Sequence, residues 1–407
     1  MFKANWRMRL GALRRSFARF DQIIAVTGSV GKSSTTGLIG ALMRSQGRTL
    51  VGQNFNDYKA IVVTLASSQL LNRYWVQEVS GDAPGAALKA AGFLRQTATV
   101  VTSVGNDHIQ NFSSVDEIAR EKANLVTTLP QSGLAVLNAD DPRVFAMRFD
   151  CQCRVITYGC SENADIRATS WHEGLPGGLT IQVREGRQEV TIQTRLIGAR
   201  WITSVLAAIA LGRGMGISLE ECARVVAEIP PFHYRDSVHI LRNGTTIVLD
   251  THKRAFWTVK SSLEIVEKAT YPRKTVVFGQ VGYYVGAEDT MYREIINQAL
   301  DVADRIIIYG KLGDEVIRML REYPGRVFYF DAVAQVQGFL RANAVAGELI
   351  YVKAGVADNL ERLWYDTIEP IKCWRDRCGK RKTCDRCSDL YGSRWARYYR
   401  FKWKKWQ

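Results

Sequence analysis

Apolar residues recur along this chain in two rhythms. Short unbroken runs read as buried strands, and longer stretches spaced three and four apart read as helices. The first run, at 23–26, ends in Thr27-Gly28, a strand entering a tight turn. From Ser33 onward Leu38, Ile39, Leu42 and Met43 share one helical face. Residues 75–79 and 97–104 are further predicted strands. Residues 114–129 form a predicted helix with a capping box, because Ser114 is followed three residues later by Glu117. A strand at 133–137 runs into the turn Asn138-Ala139-Asp140-Asp141-Pro142. Residues 151–197 alternate apolar and polar positions and read as β-rich, and 204–212 read as an Ala-rich helix. The pattern restarts near Pro230-Pro231, with strands at 246–250, 275–278, 305–309 and 349–352 and helices between them, one at about 257–268.

Strands that alternate with helices imply parallel α/β sheets. The expected fold class is therefore α/β: a P-loop-type parallel-sheet central domain at 23–232, then a smaller Rossmann-like α/β domain at 233–370. A basic amphipathic segment at 1–22 precedes them, and a short Cys-rich tail at 371–407 follows.

Charge changes the picture once it is divided by region. Residues 1–20 hold six Lys/Arg and no acid, and residues 371–407 hold thirteen Lys/Arg and three Asp. The body between them carries 36 basic and 37 acidic residues. The net +15 thus belongs to the two ends, which would meet something anionic. No apolar run reaches 18 residues, and the first 20 residues lack the apolar stretch of a secretory signal. A cytoplasmic location is expected by default.

The chemistry starts at T-G-S-V-G-K-S-S-T, residues 27–35, between a predicted strand and a predicted helix. Glycines there let backbone N–H groups face phosphate oxygens, and the helix N-terminus adds partial positive charge. Thr27, Gly28, Ser29, Gly31, Lys32, Ser33 and Ser34 would grip ATP, with Lys32 on the β- and γ-phosphates and the Ser33 hydroxyl on Mg²⁺. Two residues separate Gly28 from Gly31, rather than the four of the longer phosphate loop.

This shortened loop resembles that of the Mur ligases, which join a carboxylate to an amino-acid amine. Further resemblances follow in order: Glu78 in Q-E-V-S-G, V-T-S-V-G-N-D-H-I-Q-N-F at 101–112, S-S-V-D-E-I-A-R-E-K after it, A-V-L-N-A-D-D-P at 135–142, and Y-V-K-A-G at 351–355. Arg235 and Asp250 fall where the MurF type has an Arg and a strand-end Asp that serve the nucleotide. The resemblance covers about 23–360. It implies Glu78 and His108 as Mg²⁺ ligands beside Ser33, and a carbamylated Lys122 holding a second Mg²⁺. With Lys32 these are the expected catalytic residues. The implied reaction is acyl-phosphate formation from a substrate carboxylate, then attack by an amine, on a cell-envelope or polymer precursor.

The chain departs from the family pattern in three places. About 22 residues precede the first strand, where the family carries a UDP-sugar-binding domain. The adenine-contacting segment reads G-A-R-W-I-T-S-V-L-A-A, with Trp201 and Ser204 in place of two asparagines. Trp201 would stack on the base or pack in the core. The third segment reads D-T-H-K-R-A-F-W from Asp250, where His252, Lys253 and Arg254 replace neutral residues. They would grip an anion or form a solvated loop.

Cys373, Cys378, Cys384 and Cys387 place four thiols within fifteen residues, suited to structural Zn²⁺ or left as reduced thiols. Beyond them, aromatics and cations interleave, which suits an anionic membrane surface or single-stranded nucleic acid. The N-terminal segment resembles an interfacial helix with Trp6, Leu10, Leu13, Phe17 and Phe20 near one face. Because both ends share this character, the membrane is the favoured partner, and the neutral body makes a nucleic-acid channel the weaker expectation. Competing readings are a non-catalytic ATP-binding scaffold and a nucleic-acid-dependent NTPase. Oligomeric state and the identity of the substrates are left open.

Overall fold

The computed structural model describes residues 2–68, 71–106, 109–284, 286–376, 378–380 and 383–392. The chain divides into two compact units. One contains the described residues up to 172 with 179–195 and 199–229, and the other contains 173–178, 196–198 and the described residues from 230 on.

The first unit opens with α1 (Phe2–Phe17), β1 (Gln22–Thr27), α2 (Lys32–Gln46), β2 (Thr49–Gly52), α3 (Tyr58–Ala66) and β3 (Tyr74–Glu78). It continues through α4 (Ala86–Leu94), β4 (Ala98–Val101), α5 (Val115–Thr127), β5 (Leu134–Asn138), α6 (Pro142–Ala146) and β6 (Arg154–Gly159). It closes with β7 (Ile166–Gly174), β8 (Gly178–Glu185), β9 (Gln188–Gln193), α7 (Ile202–Gly214) and α8 (Leu219–Glu228). Among the described residues the strands form one sheet in the order β2-β3-β1-β4-β5-β6-β7-β8-β9. From β2 to β7 neighbouring strands run parallel, and β8 and β9 form an antiparallel pair. Strands β1, β4 and β5 are buried almost throughout, as expected of parallel strands covered on both faces. Helix α7 is buried nearly all round, which explains an apolar Ala-rich run without an amphipathic stripe.

Two local expectations shift. The strand expected to reach 104 ends at Val101, because the chain turns there to bind the phosphate loop. The predicted capping box is half formed. Ser114 accepts from the Glu117 N–H, but the Glu117 carboxylate reaches the Ser113 N–H at 2.6 Å, one residue further back.

The N-terminal segment is a helix, but it lies on the body. Arg14 donates to Ala66 O at 2.6 Å and Ser68 O at 2.7 Å, and Arg15 donates to Phe93 O and Leu94 O at 2.8 Å. These are the orphan carbonyls at the ends of α3 and α4, so two cations of the basic run cap helices. Phe20, expected on the lipid-facing stripe, instead packs its ring against the buried Trp75.

The second unit contains β10 (Ser237–Ile240), β11 (Thr246–Asp250), α9 (Val259–Lys268), β12 (Lys274–Phe278), α10 (Glu288–Leu300) and β13 (Arg305–Tyr309). It ends with α11 (Asp314–Leu320), β14 (Val327–Phe330), α12 (Val333–Ala342), β15 (Leu349–Lys353) and α13 (Arg362–Ile368). The sheet order is β10-β11-β15-β12-β13-β14, parallel apart from the antiparallel β10 edge. Ile371, Cys384 and Leu390 are buried with Leu360, Leu363 and Trp364, so the described part of the Cys-rich segment belongs to this unit's core. Among the described residues no helix is long and apolar enough to cross a membrane.

Candidate active site

Parallel register builds the site. Val26 lies level with Glu78, and Thr27 with Val101, so the carboxyl ends of β3, β1 and β4 come together at one edge. Ligands bind in this crevice in open α/β sheets. From β1 the chain passes through Gly28 at φ 143° to Gly31 at φ 84°, and α2 starts at the next residue. At Gly28 any Cβ would run into the Thr102 side chain, so a close approach as well as the backbone angle requires glycine.

The loop after β4 stitches the phosphate loop in place. Ser29 N–H donates to Ser103 O at 2.8 Å, and Val30 N–H to the Ser103 hydroxyl at 3.0 Å. Thr102 Oγ1 donates to Val30 O at 2.5 Å, and Gly105 N–H donates to the Ser29 hydroxyl at 2.8 Å. Lys32 Nζ folds back to Gly28 O at 2.6 Å. That places its charge over the concavity where phosphate oxygens would sit. Ser33 and Ser34 are half-buried at the first turn of α2.

Glu78 is buried at the end of β3. Its carboxylate accepts from Asn54 N–H at 2.8 Å and from Asn56 Nδ2 at 3.0 Å. Lys122 on α5 is 1% exposed, and its Nζ approaches Gly81, three residues past Glu78. Lys32, Ser33, Glu78 and Lys122 thus gather at one edge of one sheet. His108 lies outside the described residues. Asn54 and Asn56 carry no sequence signal of their own; only folding brings them to Glu78.

The A-D-D-P turn is structural. Asp141 caps α6 by accepting from Arg143 and Val144 N–H, and its second oxygen accepts from Val104 N–H at 2.7 Å. Asp140 accepts from the N–H groups of Cys160 and Ser161. The substituted adenine segment also packs. Trp201 is 3% exposed, which rules out an open stacking platform, and Ser204 bonds Thr35 Oγ1 at 3.0 Å, bracing α7 against α2.

In the second unit, Asp250 ends β11 level with Lys353 of β15. Both are buried, and Lys353 Nζ donates to Asp250 Oδ2 at 2.6 Å. Arg235 lies 3.3–3.4 Å from the His252 ring nitrogens. Burial, with Arg235 beside it, pushes His252 from its ordinary 6.5 down to about 4, so the ring is neutral at pH 7. Arg254 is exposed and lies over Gly282 and Gly355.

Cys373, Cys378, Cys384 and Cys387 line one small recess with Arg362 and Arg375. Arg362 Nε reaches Cys384 Sγ at 3.2 Å, and burial with the nearby Glu361 pushes that thiol up to about 12. Among the described residues no three His, Cys, Asp or Glu converge in a way that could hold a metal ion. The expected four-thiolate arrangement is not formed, because Cys384 turns to Arg362 and Asn359.

Comparison with known proteins agrees with this architecture. The family model described as the Mur ligase middle domain matches residues 26–212. A UDP-N-acetylmuramoyl-tripeptide--D-alanyl-D-alanine ligase of Bacillus subtilis is 26% identical over 356 residues, covering 86% of this chain and 76% of that protein. A ligase of the same name from Mycobacterium leprae is 30% identical over 56% of this chain and 47% of its own length. Among solved structures, MurF from Acinetobacter baumannii superimposes with a TM-score of 0.81 at 18% identity, covering 90% of this chain and 80% of that one. MurF ligase from Thermotoga maritima in complex with ADP gives 0.76 at 17%, covering 90% and 84%.

Proposed function

The chain belongs to the Mur ligase family, carrying that family's middle domain at 26–212, and from this premise we propose that it is an ATP-dependent ligase that forms an amide bond between a carboxylate and an amine. The observation that carries the reading is the glycine loop with Lys32 and Ser33 directly after β1, beside the end of β3, where Glu78 is buried and Lys122 Nζ lies near Gly81. The loop's N–H groups and Lys32 would hold the ATP phosphates, and Lys32 would stabilise charge on the transferring phosphoryl. Ser33 and Glu78 fit Mg²⁺, since Glu78 is a buried carboxylate whose amide donors fix its orientation. Magnesium would neutralise charge on the β- and γ-phosphates. Carbamylation of Lys122 would turn a buried cation into an anionic ligand for a second ion. The substrate carboxylate would displace ADP from the γ-phosphoryl, and the amine would then expel phosphate from the acyl-phosphate.

The relatives act on UDP-N-acetylmuramoyl peptides, as their names state. A cell-envelope or polymer precursor is the corresponding carboxylate here, handled in the cytoplasm at the inner face of the membrane. ADP release by the full chain, measured against a panel of amino acids and anionic acceptors, tests the activity. Turnover that requires both a carboxylate and an amine supports it, and binding of ATP without turnover on any pair points to a scaffold.

Structural zinc on the four cysteines that line one recess would require Cys384 to leave Arg362 and Asn359. Truncation at 370 would strip Ile371 and Leu390 from the core, so Cys378→Ser with Cys387→Ser is the better test. Loss of one zinc per chain in that variant supports the site; a metal-free native chain removes it.

A further inference from the structure

We propose that the outward face of α1 is a membrane-docking surface, held rigidly on the ATP-binding unit and built for an anionic bilayer. The inference rests on the peripheral-membrane reading above and names the surface that performs it. At about 100° per residue, Trp6, Leu13 and Phe17 fall within roughly 40° of one another around the helix. They are 52%, 59% and 76% exposed, which makes an apolar stripe along one side of α1.

The opposite side is fastened. Gly11 is buried against α3, where a Cβ would run into Val62. Arg14 and Arg15 bind the carbonyl ends of α3 and α4. The helix therefore already has a packed face, and the Trp6–Leu13–Phe17 stripe is a second one. Leu10, expected on the stripe, is only half-buried at its margin, and Phe20 turns into the core. The aromatic members that remain outside are the kind that settle at the headgroup level.

Charge selects the occupant. Residues 1–20 contain no acid, and Arg7 and Arg9 flank the stripe, exposed. A protein partner of mixed charge gains nothing from an all-cationic rim, whereas each Lys or Arg near an anionic leaflet adds attraction. An interfacial helix with apolar residues on one face and arginines beside them is the form such binding takes. Because α1 is clamped to α3 and α4, docking would also fix the orientation of the phosphate-loop unit to the bilayer.

The test uses the full chain with sonicated vesicles of phosphatidylcholine, with and without phosphatidylglycerol. The native chain should sediment with the phosphatidylglycerol vesicles only, and part of the binding should persist at 1 M salt. Trp6→Ser with Leu13→Ser and Phe17→Ser should abolish the salt-resistant part and weaken binding at low salt at least tenfold. Arg7→Glu with Arg9→Glu should weaken low-salt binding several-fold. ATP turnover without vesicles should stay unchanged in both, which separates failure here from failure of the ligase reading and from misfolding. Native-like vesicle binding by the triple variant overturns the proposal. So does a native chain that ignores vesicles, including one whose stripe instead mediates self-association, seen as a dimer that the triple variant converts to monomer. Native-like binding by the charge-reversed variant overturns the electrostatic half.

Discussion

The carboxyl edges of the parallel strands in the two sheets are made differently. In the first unit the edge offers backbone: glycines at 28 and 31, and a loop held by the hydroxyls of Ser29, Thr102 and Ser103. In the second unit the edge offers side chains: Arg235, Lys253, Arg254 and the Asp250–Lys353 pair. Backbone donors bind phosphate by shape, so the residues around them must keep one geometry. Side-chain cations set the charge of the crevice and can change with the substrate. The first edge accordingly is a short glycine loop, and the second carries His252, Lys253 and Arg254 in succession.

The largest effect expected from disturbing this contrast is on stability. Lys353→Met takes the Lys353 ammonium away from the buried Asp250 carboxylate. Removing one partner of a buried pair costs about 3–5 kcal/mol. Chemical denaturation followed by tryptophan fluorescence should show the second unit weakened by that order, and Asp250→Asn in the same chain should recover a large part. A Lys353→Met chain of native stability would show that the pair is solvated rather than structural.

Next comes the phosphate loop. Lys32→Ala should lower ADP release about 100-fold or more while the melting temperature changes little. On the free-energy scale this is about 2.7 kcal/mol, spent on the transition state rather than on folding. Normal turnover in this variant would remove the enzyme assignment from the first edge.

A smaller effect separates the carboxylate from its holder. Asn56→Ala removes the amide donor from Glu78 Oε1 and leaves the Asn54 N–H in place. Outer partners of a metal ligand typically change metal affinity by about 10–100-fold. The Mg²⁺ concentration for half-maximal ADP release should rise by about tenfold, with activity restored at saturating Mg²⁺. A merely structural role would lower activity at every Mg²⁺ concentration alike.

Much of the first edge was legible because it is local. The strand, the short glycine loop and the helix are contiguous in sequence, and buried parallel strands read as apolar runs. The second sheet's strands were legible for the same reason. What stayed hidden depends on distant partners. Arg14 and Arg15 looked like part of a lipid-seeking run, and nothing near them in sequence announces the carbonyls of Ala66 or Leu94. Trp201 kept two meanings until burial chose the core. The amphipathic reading of residues 1–20 found the helix and mixed its two faces, because Phe20 belongs to the Trp75 cluster. For the cysteines, spacing offered four thiols but could not show that Cys384 would turn to Arg362.

The smallest expected effect concerns pH and the second edge. His252 is held neutral, its pKa falling from 6.5 to about 4, first through burial and then through Arg235. Between those values the unfolded chain binds a proton that the folded chain refuses, so folding stability should rise with pH across this window and fall as pH drops through it. The buried His239, pushed down to about 3 mainly by burial, adds a slope of the same sign. Other groups titrate below pH 5, so the informative comparison is between variants at pH 5 and pH 7. Substituting His252→Gln keeps a polar group beside Arg235 and removes the titration. The loss of melting temperature from pH 7 to pH 5 should then shrink by a few degrees, and His239→Gln should shrink it further in the double variant. If His252→Gln leaves the pH dependence of melting unchanged, the ring is open to solvent in the folded chain. The second edge would then gain one further cation below neutrality, beside Arg235, Lys253 and Arg254, and its contrast with the backbone-built first edge would grow as the solution is acidified.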